Sequence, residues 1–265
     1  MSILEKIIAT KKEEVAYNKS IRPIKLLESS IYFETQSVSM KEYLQRPDKV
    51  GIIAEIKRKS PSTGAFKSKI NIEELSIGYM QAGATALSIL TDSNYFGGSG
   101  EDLSEARKYN FCPILRKDFI IDEYQIIEAK SMGADCILLI AAHLTPNRCT
   151  ELAQFAQSLG LEVLMEVHNQ SEIESHCNPY LHVVGVNNRN LHDFNTSIKT
   201  SLELAAFIPK DFVKISESGI TKAEEILQLR EYGYQGFLIG GHFMQKAEPV
   251  KACRELIANI QNQSP

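Results

Sequence analysis

Residues 51–62 read GIIAEIKRKSPS, an apolar run broken only by Glu55 and Lys57 that passes into a charged turn at Arg58-Lys59-Ser60-Pro61-Ser62. Seven more short runs rich in β-formers follow, at 84–90, 112–116, 135–140, 162–166, 182–187, 212–216 and 236–240. Their starts lie about 20 to 33 residues apart, enough for one strand, one helix and two loops. The stretches 71–82, 123–132, 148–159, 221–232 and 248–260 read as helices, with Ile72, Leu75 and Tyr79 sharing a face of the first. Eight such units predict an α/β chain closed into a (β/α)8 TIM barrel, and 265 residues suit that fold, which needs about 250. A doubly wound open sheet produces the same alternation, but usually with about five to seven strands. A dinucleotide-binding sheet also carries GxGxxG where this chain has Lys57 to Ser62. Residues 1–48 precede the first run and read as a helical extension packed outside the barrel. No linker interrupts the pattern, so a single domain over 1–265 is expected.

The composition narrows the function. Hydrophobic residues make up 43% and charged residues 23%, with no apolar run near the roughly 20 residues of a membrane-spanning helix. The amino terminus places Ile3, Leu4, Ile7, Ile8 and Val15 among charges of both signs, which reads as an amphipathic helix rather than a signal peptide. Five cysteines without a CxxC pair argue against a disulfide framework or zinc ribbon and point to the cytoplasm. A net charge of -4 and the lack of a basic block argue against nucleic acid. An anionic ligand would have to be held by local groups.

In a barrel of this class the active site lies at the carboxyl ends of the strands. Alternation puts Ile53, Glu55 and Lys57 on one face, an acid and a base projecting into the mouth from one strand. The third run ends in Arg116-Lys117-Asp118, where Lys117 is either functional or a solvated strand-end charge. Glu166 is the only charge between Val163 and Val167; it is either a carboxyl of raised pKa fit for proton transfer or half of a structural ion pair. Asn187 and Arg189 share a side and suit a hydroxyl and a carboxylate, although an Asn-built turn gives the same pattern. Ser218-Gly219 and Gly240-Gly241 stand before helical stretches after the seventh and eighth runs. Barrels often bind phosphate there, while a tight turn requiring glycine is the plainer alternative. Ser60 can add a donor. His143 and His168 lie at strand ends, but the six histidines show no HxH or HExxH spacing, so no metal is expected.

The segment Ile53-Ala54-Glu55-Ile56-Lys57-Arg58-Lys59-Ser60-Pro61-Ser62 closely resembles the first-strand signature xAExKxxSPS of indole-3-glycerol-phosphate synthases. The resemblance continues through Leu87–Asp92, Tyr95–Ser99, Pro113–Phe119, Glu166-Val167-His168, Gly185–Arg189, Glu217–Ile220 and Leu238-Ile239-Gly240, nearly the whole chain. Gly241 stands where many relatives carry Ser or Glu, and Asn190 where Asp is usual; neither change removes a catalytic side chain.

The resemblance implies a lyase of tryptophan biosynthesis that cyclises 1-(2-carboxyphenylamino)-1-deoxyribulose 5-phosphate to indole-3-glycerol phosphate, with loss of carbon dioxide and water. It makes Lys117 the general acid, with Lys57 as competitor or as holder of the substrate carboxylate, the two lysines lowering each other's pKa. Glu166 becomes the second acid/base, with Glu55 holding Lys117 or a substrate hydroxyl and Asn187 orienting that hydroxyl. Arg189 steadies the anthranilate carboxylate or anchors the network. Ser60, Ser218, Gly219, Gly240 and Gly241 hold phosphate, while Phe96 and Phe119 wall the ring pocket. No cofactor is called for, and the expected partner is a phosphorylated small molecule bound by a monomer. Sugar-phosphate isomerases share the barrel and phosphate site but are expected to use Cys/Asp or Asp/Asp pairs. A non-catalytic phosphosugar-binding barrel needs only the glycine segments.

Overall fold

A computed structural model describes residues 2–61, 64–66, 70–190 and 194–263; Ser62 of the first-strand motif lies outside the described residues. Eight parallel strands close a barrel in sequence order: β1 (Ile52–Ile56), β2 (Ala86–Leu90), β3 (Ile114–Lys117), β4 (Cys136–Ile140), β5 (Glu162–Val167), β6 (Val183–Asn187), β7 (Val213–Glu217) and β8 (Tyr234–Ile239). The ring is completed where β8 pairs with β1, Phe237 opposite Ile52 and Leu238 opposite Ile53.

Strand alternation sorts the side chains into two cores. Ile53, Ala86, Leu115, Leu164, Val183, Ile215 and Leu238 fill the barrel interior, whereas Ile52, Ala54, Ile56, Leu87, Ile89 and Met165 belong to the larger core between strands and helices. The inward positions nearer the carboxyl ends include Glu55, Ser88, Lys117, Glu166, Asn187 and Glu217. Apolar layers thus support a polar one.

The amino-terminal extension is helical and also closes parts of the barrel. Helices α1 (Ile3–Ile21), α2 (Ile24–Glu28) and α3 (Met40–Leu44) are present, but Met40 and Leu44 of α3 join the interior core and stop its lower end. Ile3, Leu4 and Ile7 of α1 reach the opposite, functional end. A 5-residue segment such as MKEYL carries too little apolar periodicity to announce a plug. The helix Gly100–Tyr109 was likewise hidden, since only Leu103 and Ala106 supply buried apolar side chains and a Ser99/Asp102 capping box fixes its start.

Candidate active site

A cavity of about 380 Å³ opens at the carboxyl ends of the strands, within the roughly 300–1,000 Å³ usual for small-molecule sites. The structure brings every site residue expected from the sequence to its wall. Glu55, Lys57, Lys117, Glu166, Asn187 and Arg189 stand in or just beyond the strand ends, Ser60 on the first loop, Phe96 and Phe119 on one side, and Ser218, Gly219, Gly240 and Gly241 after β7 and β8. Apolar side chains make up much of the wall, and carboxylates and ammonium groups converge among them.

Lys117 is the centre of that convergence. Its Nζ donates to Glu166 Oε2 at 2.7 Å and to Glu217 Oε2 at 2.8 Å, so one cation from β3 bridges acids from β5 and β7. Burial alone would lower the Lys117 pKa, but Glu166, Glu217 and Glu55 outweigh it and hold the ammonium well above the usual lysine value. Lys57 pairs separately with Glu55. The expectation that the two lysines lower each other's pKa is therefore corrected at Lys117, which its carboxylate neighbours hold up. Glu55 holds Lys57 rather than Lys117.

The two acids on Lys117 diverge. Burial works to raise both, yet in Glu166 the Lys117 ammonium, His168 and the Asn187 amide prevail and hold the carboxyl well below its ordinary range. Asn187 Nδ2 donates to Glu166 Oε1 at 3.0 Å, and His168 Nε2 lies 3.5 Å from the same oxygen. Glu217 is pushed up to about 7, by burial first and then by its Glu166 neighbour despite Lys117. The carboxyl of raised pKa is thus Glu217, not Glu166 as the sequence suggested. Its Oε1 is buried without a hydrogen-bond partner among the described residues. The alternation Val213, Ile215, Glu217 carried this signal, by the same criterion that singled out Glu55.

The remaining groups sort into two ends. Phe96 and Phe119 face each other at 6.0 Å between centroids, and Phe119 packs 6.4 Å from the His143 ring. Neither His143 nitrogen has a hydrogen-bond partner among the described residues, and burial lowers its pKa to about 4, so a neutral ring extends the aromatic wall. Across the barrel, Ser218 and Gly219 take consecutive left-handed conformations (φ 67° and 76°), uncommon for a serine and suited to turning backbone N–H groups together. Arg189 Nη1 donates to Phe194 O at 3.0 Å, and its backbone N–H to Asn187 Oδ1 at 3.0 Å. A Cβ at Gly241 would meet nothing within 4 Å, whereas one at Gly240 would lie 2.3 Å from Glu55 Oε1. Gly240 is therefore required first by the acid on β1, not only by an anion.

The family model for indole-3-glycerol phosphate synthase matches residues 4–256. The chain belongs to the indole-3-glycerol phosphate synthase family. Among its relatives, the indole-3-glycerol phosphate synthase of Bacteroides thetaiotaomicron is 47% identical over 259 residues, covering 98% of this chain and 99% of that protein. The one from Bordetella pertussis is 40% identical over 263 residues, covering 97% and 99%. Among solved structures, a variant of the tryptophan synthase α-subunit from Pyrococcus furiosus superposes with a TM-score of 0.62 at 13% identity, over 81% of this chain and 99% of that one. Native KDPGal gives 0.56 at 15% identity, over 86% and 96%. At such identities the structural likeness shows the barrel alone; the synthase family rests on the sequence relatives.

In this family member the Glu217 environment has a measurable consequence for stability. Its carboxyl keeps a proton to about 7 in the folded chain, against an ordinary value of 4.5, so the folded state binds more protons between those values and stability falls as pH rises through that window. Glu217→Gln removes this dependence. The melting temperature of the variant relative to the parent should climb between about pH 5 and about pH 8, and a difference that stays constant or shrinks contradicts the raised pKa.

Proposed function

We propose that this chain closes an indole ring, converting 1-(2-carboxyphenylamino)-1-deoxyribulose 5-phosphate to indole-3-glycerol phosphate, carbon dioxide and water. The observation that carries the reading is one loaded ammonium, Lys117, set between two carboxyls of different proton affinity in a cavity with an aromatic wall at one side and an N–H-rich turn across from it. The ring lies against Phe96 and Phe119. The phosphate is held by Ser60, Ser218, Gly219, Gly240 and Gly241, whose freed backbone donors suit an anion. Lys57, steadied by Glu55, faces the substrate carboxylate together with Arg189.

Ring closure forms a bond between the ring carbon bearing the carboxylate and the ketone carbon, and the electron pair of the carbonyl moves to oxygen. Lys117 gives that oxygen its proton. A tightly held lysine proton still transfers, because the alkoxide formed is the stronger base. Loss of carbon dioxide returns electrons to the ring system. Departure of the new hydroxyl as water takes a second proton, supplied by Glu217 with its raised pKa, and the ionised Glu166, oriented by Asn187, removes the last carbon-bound proton to restore aromaticity. The side chains assist these bond changes by proton transfer at the polarised carbonyl and its products.

We further read residues 1–265 as one working domain, a monomer of the cytoplasm. Support comes from a cavity that already holds every residue given a role above and from five cysteines all free. Turnover of the carboxyphenylamino substrate, followed by the appearance of indole fluorescence, tests the activity. The chain contains no Trp to obscure the signal. Fluorescence should rise with substrate consumption, and inorganic phosphate should compete with substrate; a folded protein that yields no indole product refutes the reading.

A further inference from the structure

Helix α1 carries a buried charge that the chemistry above does not use. Its inward stripe is Ile7, Lys11 and Val15, and Lys11 in the middle is 0% exposed. Desolvating an ammonium on a helix that already docks through apolar residues is costly unless its partners repay it. Those partners belong to the barrel rim: Lys11 Nζ lies 2.9 Å from Asp118 Oδ1 and 3.1 Å from Asp92 Oδ2, with Glu14 of its own helix at 3.0 Å.

Both rim acids are already engaged with the site. Asp118 sits between Lys117 and Phe119; its Oδ1 accepts the Phe119 backbone N–H at 2.8 Å, and its Oδ2 accepts Thr91 Oγ1 at 2.5 Å and Arg116 Nη2 at 3.2 Å. Asp92 caps the short helix Ser93–Phe96, its Oδ1 accepting the N–H groups of Tyr95 and Phe96 at 2.7 and 3.2 Å. The hydroxyls of Thr10 and Tyr95 meet at 3.0 Å beside this contact. One ammonium therefore touches the residue that fixes Phe96 and the residue that joins Lys117 to Phe119.

We propose that Lys11 is a positioning residue for ring closure: by clamping Asp92 and Asp118 it locks the aromatic wall and the Lys117 strand end to the helix that lies over the cavity. The inference rests on the roles given to Lys117, Phe96 and Phe119. A stability role alone would need only apolar contacts or a surface pair. A clamp shared by two rim segments instead fixes the ring relative to the acid, where a displacement near 1 Å can cost about a hundredfold.

The test compares Lys11→Met, which keeps much of the side-chain bulk and removes the charge, with Val15→Ala, which loosens the same helix away from the mouth. Lys11→Met should lower kcat by about tenfold or more while leaving inhibition by inorganic phosphate unchanged, because the 218–219 turn lies across the barrel. Val15→Ala should keep kcat within about twofold of the parent even where its melting temperature falls as far. A folded Lys11→Met protein with kcat within about twofold overturns the proposal, as does a Val15→Ala protein that loses as much kcat. If Lys11→Met does not fold, Asp92→Asn carries the test, since Asn keeps the cap acceptor and removes only the charge facing Lys11. A kcat at least about threefold lower supports the clamp, and an unchanged one overturns it. Loss of activity in Lys117→Ala with none in these variants would leave the site assignment standing and remove the clamp alone.

Discussion

Lys117→Ala should lower kcat by at least about a hundredfold in a protein that still folds, because general acid catalysis contributes about 10² to 10⁴. The structure adds a second consequence. With Nζ gone, Glu166 and Glu217 face each other without their shared cation, and breaking a buried ion pair typically costs about 3–5 kcal/mol. A domain with about 5–15 kcal/mol of stability survives that loss at low temperature, so kcat should be read well below the variant's melting point. The strain is relieved if the two carboxyls share a proton, which would move Glu166 upward as well. Near-normal turnover in a folded Lys117→Ala protein would transfer the acid role to Lys57, the other lysine lining the cavity among the described residues.

Gly240→Val should cost both kcat and KM, with kcat/KM lower by about a hundredfold or more. The new Cβ would lie 2.3 Å from Glu55 Oε1 and 2.9 Å from Glu55 Cβ, and it is attached to backbone, so Glu55 must move. Lys57 loses its partner when that happens, and overpacking typically adds about 1–3 kcal/mol of destabilisation. Gly241→Ala provides the contrast, because its Cβ meets nothing within 4 Å. There kcat, KM and phosphate inhibition are expected to stay within about twofold of the parent. If Gly240→Val behaved like Gly241→Ala, the Glu55–Lys57 pair would have no part in the chemical step.

These expectations show where the sequence was readable. Short β-rich runs at regular spacing identified each barrel strand; alternation pointed Glu55 and Lys117 inward, and Glu166 stood out as the one charge in an apolar run, since a charge flanked by buried apolar neighbours has few other places to go. What alternation does not contain is which inward groups meet. Lys117 joins Glu166 and Glu217 across 49 and 100 residues of chain because barrel closure sets β3 near β5 and β7, and that geometry holds the Glu166 pKa down and leaves the raised one to Glu217. Lys11 escaped notice for a related reason: on the helix it resembles a solvated charge between Ile7 and Val15, and only Asp92 and Asp118 make it a core residue. Gly240 was legible as a glycine that matters, but its first neighbour, Glu55, was not.

A crystal structure with indole-3-glycerol phosphate bound tests the central claim most directly. The account predicts the indole against Phe96 and Phe119, the phosphate on the Ser218-Gly219 and Gly240-Gly241 segments, and Lys117 Nζ as the lysine nitrogen nearest the carbon that had been the ketone. Phosphate bound at the aromatic side, or Lys57 nearer than Lys117 to that carbon, would contradict it.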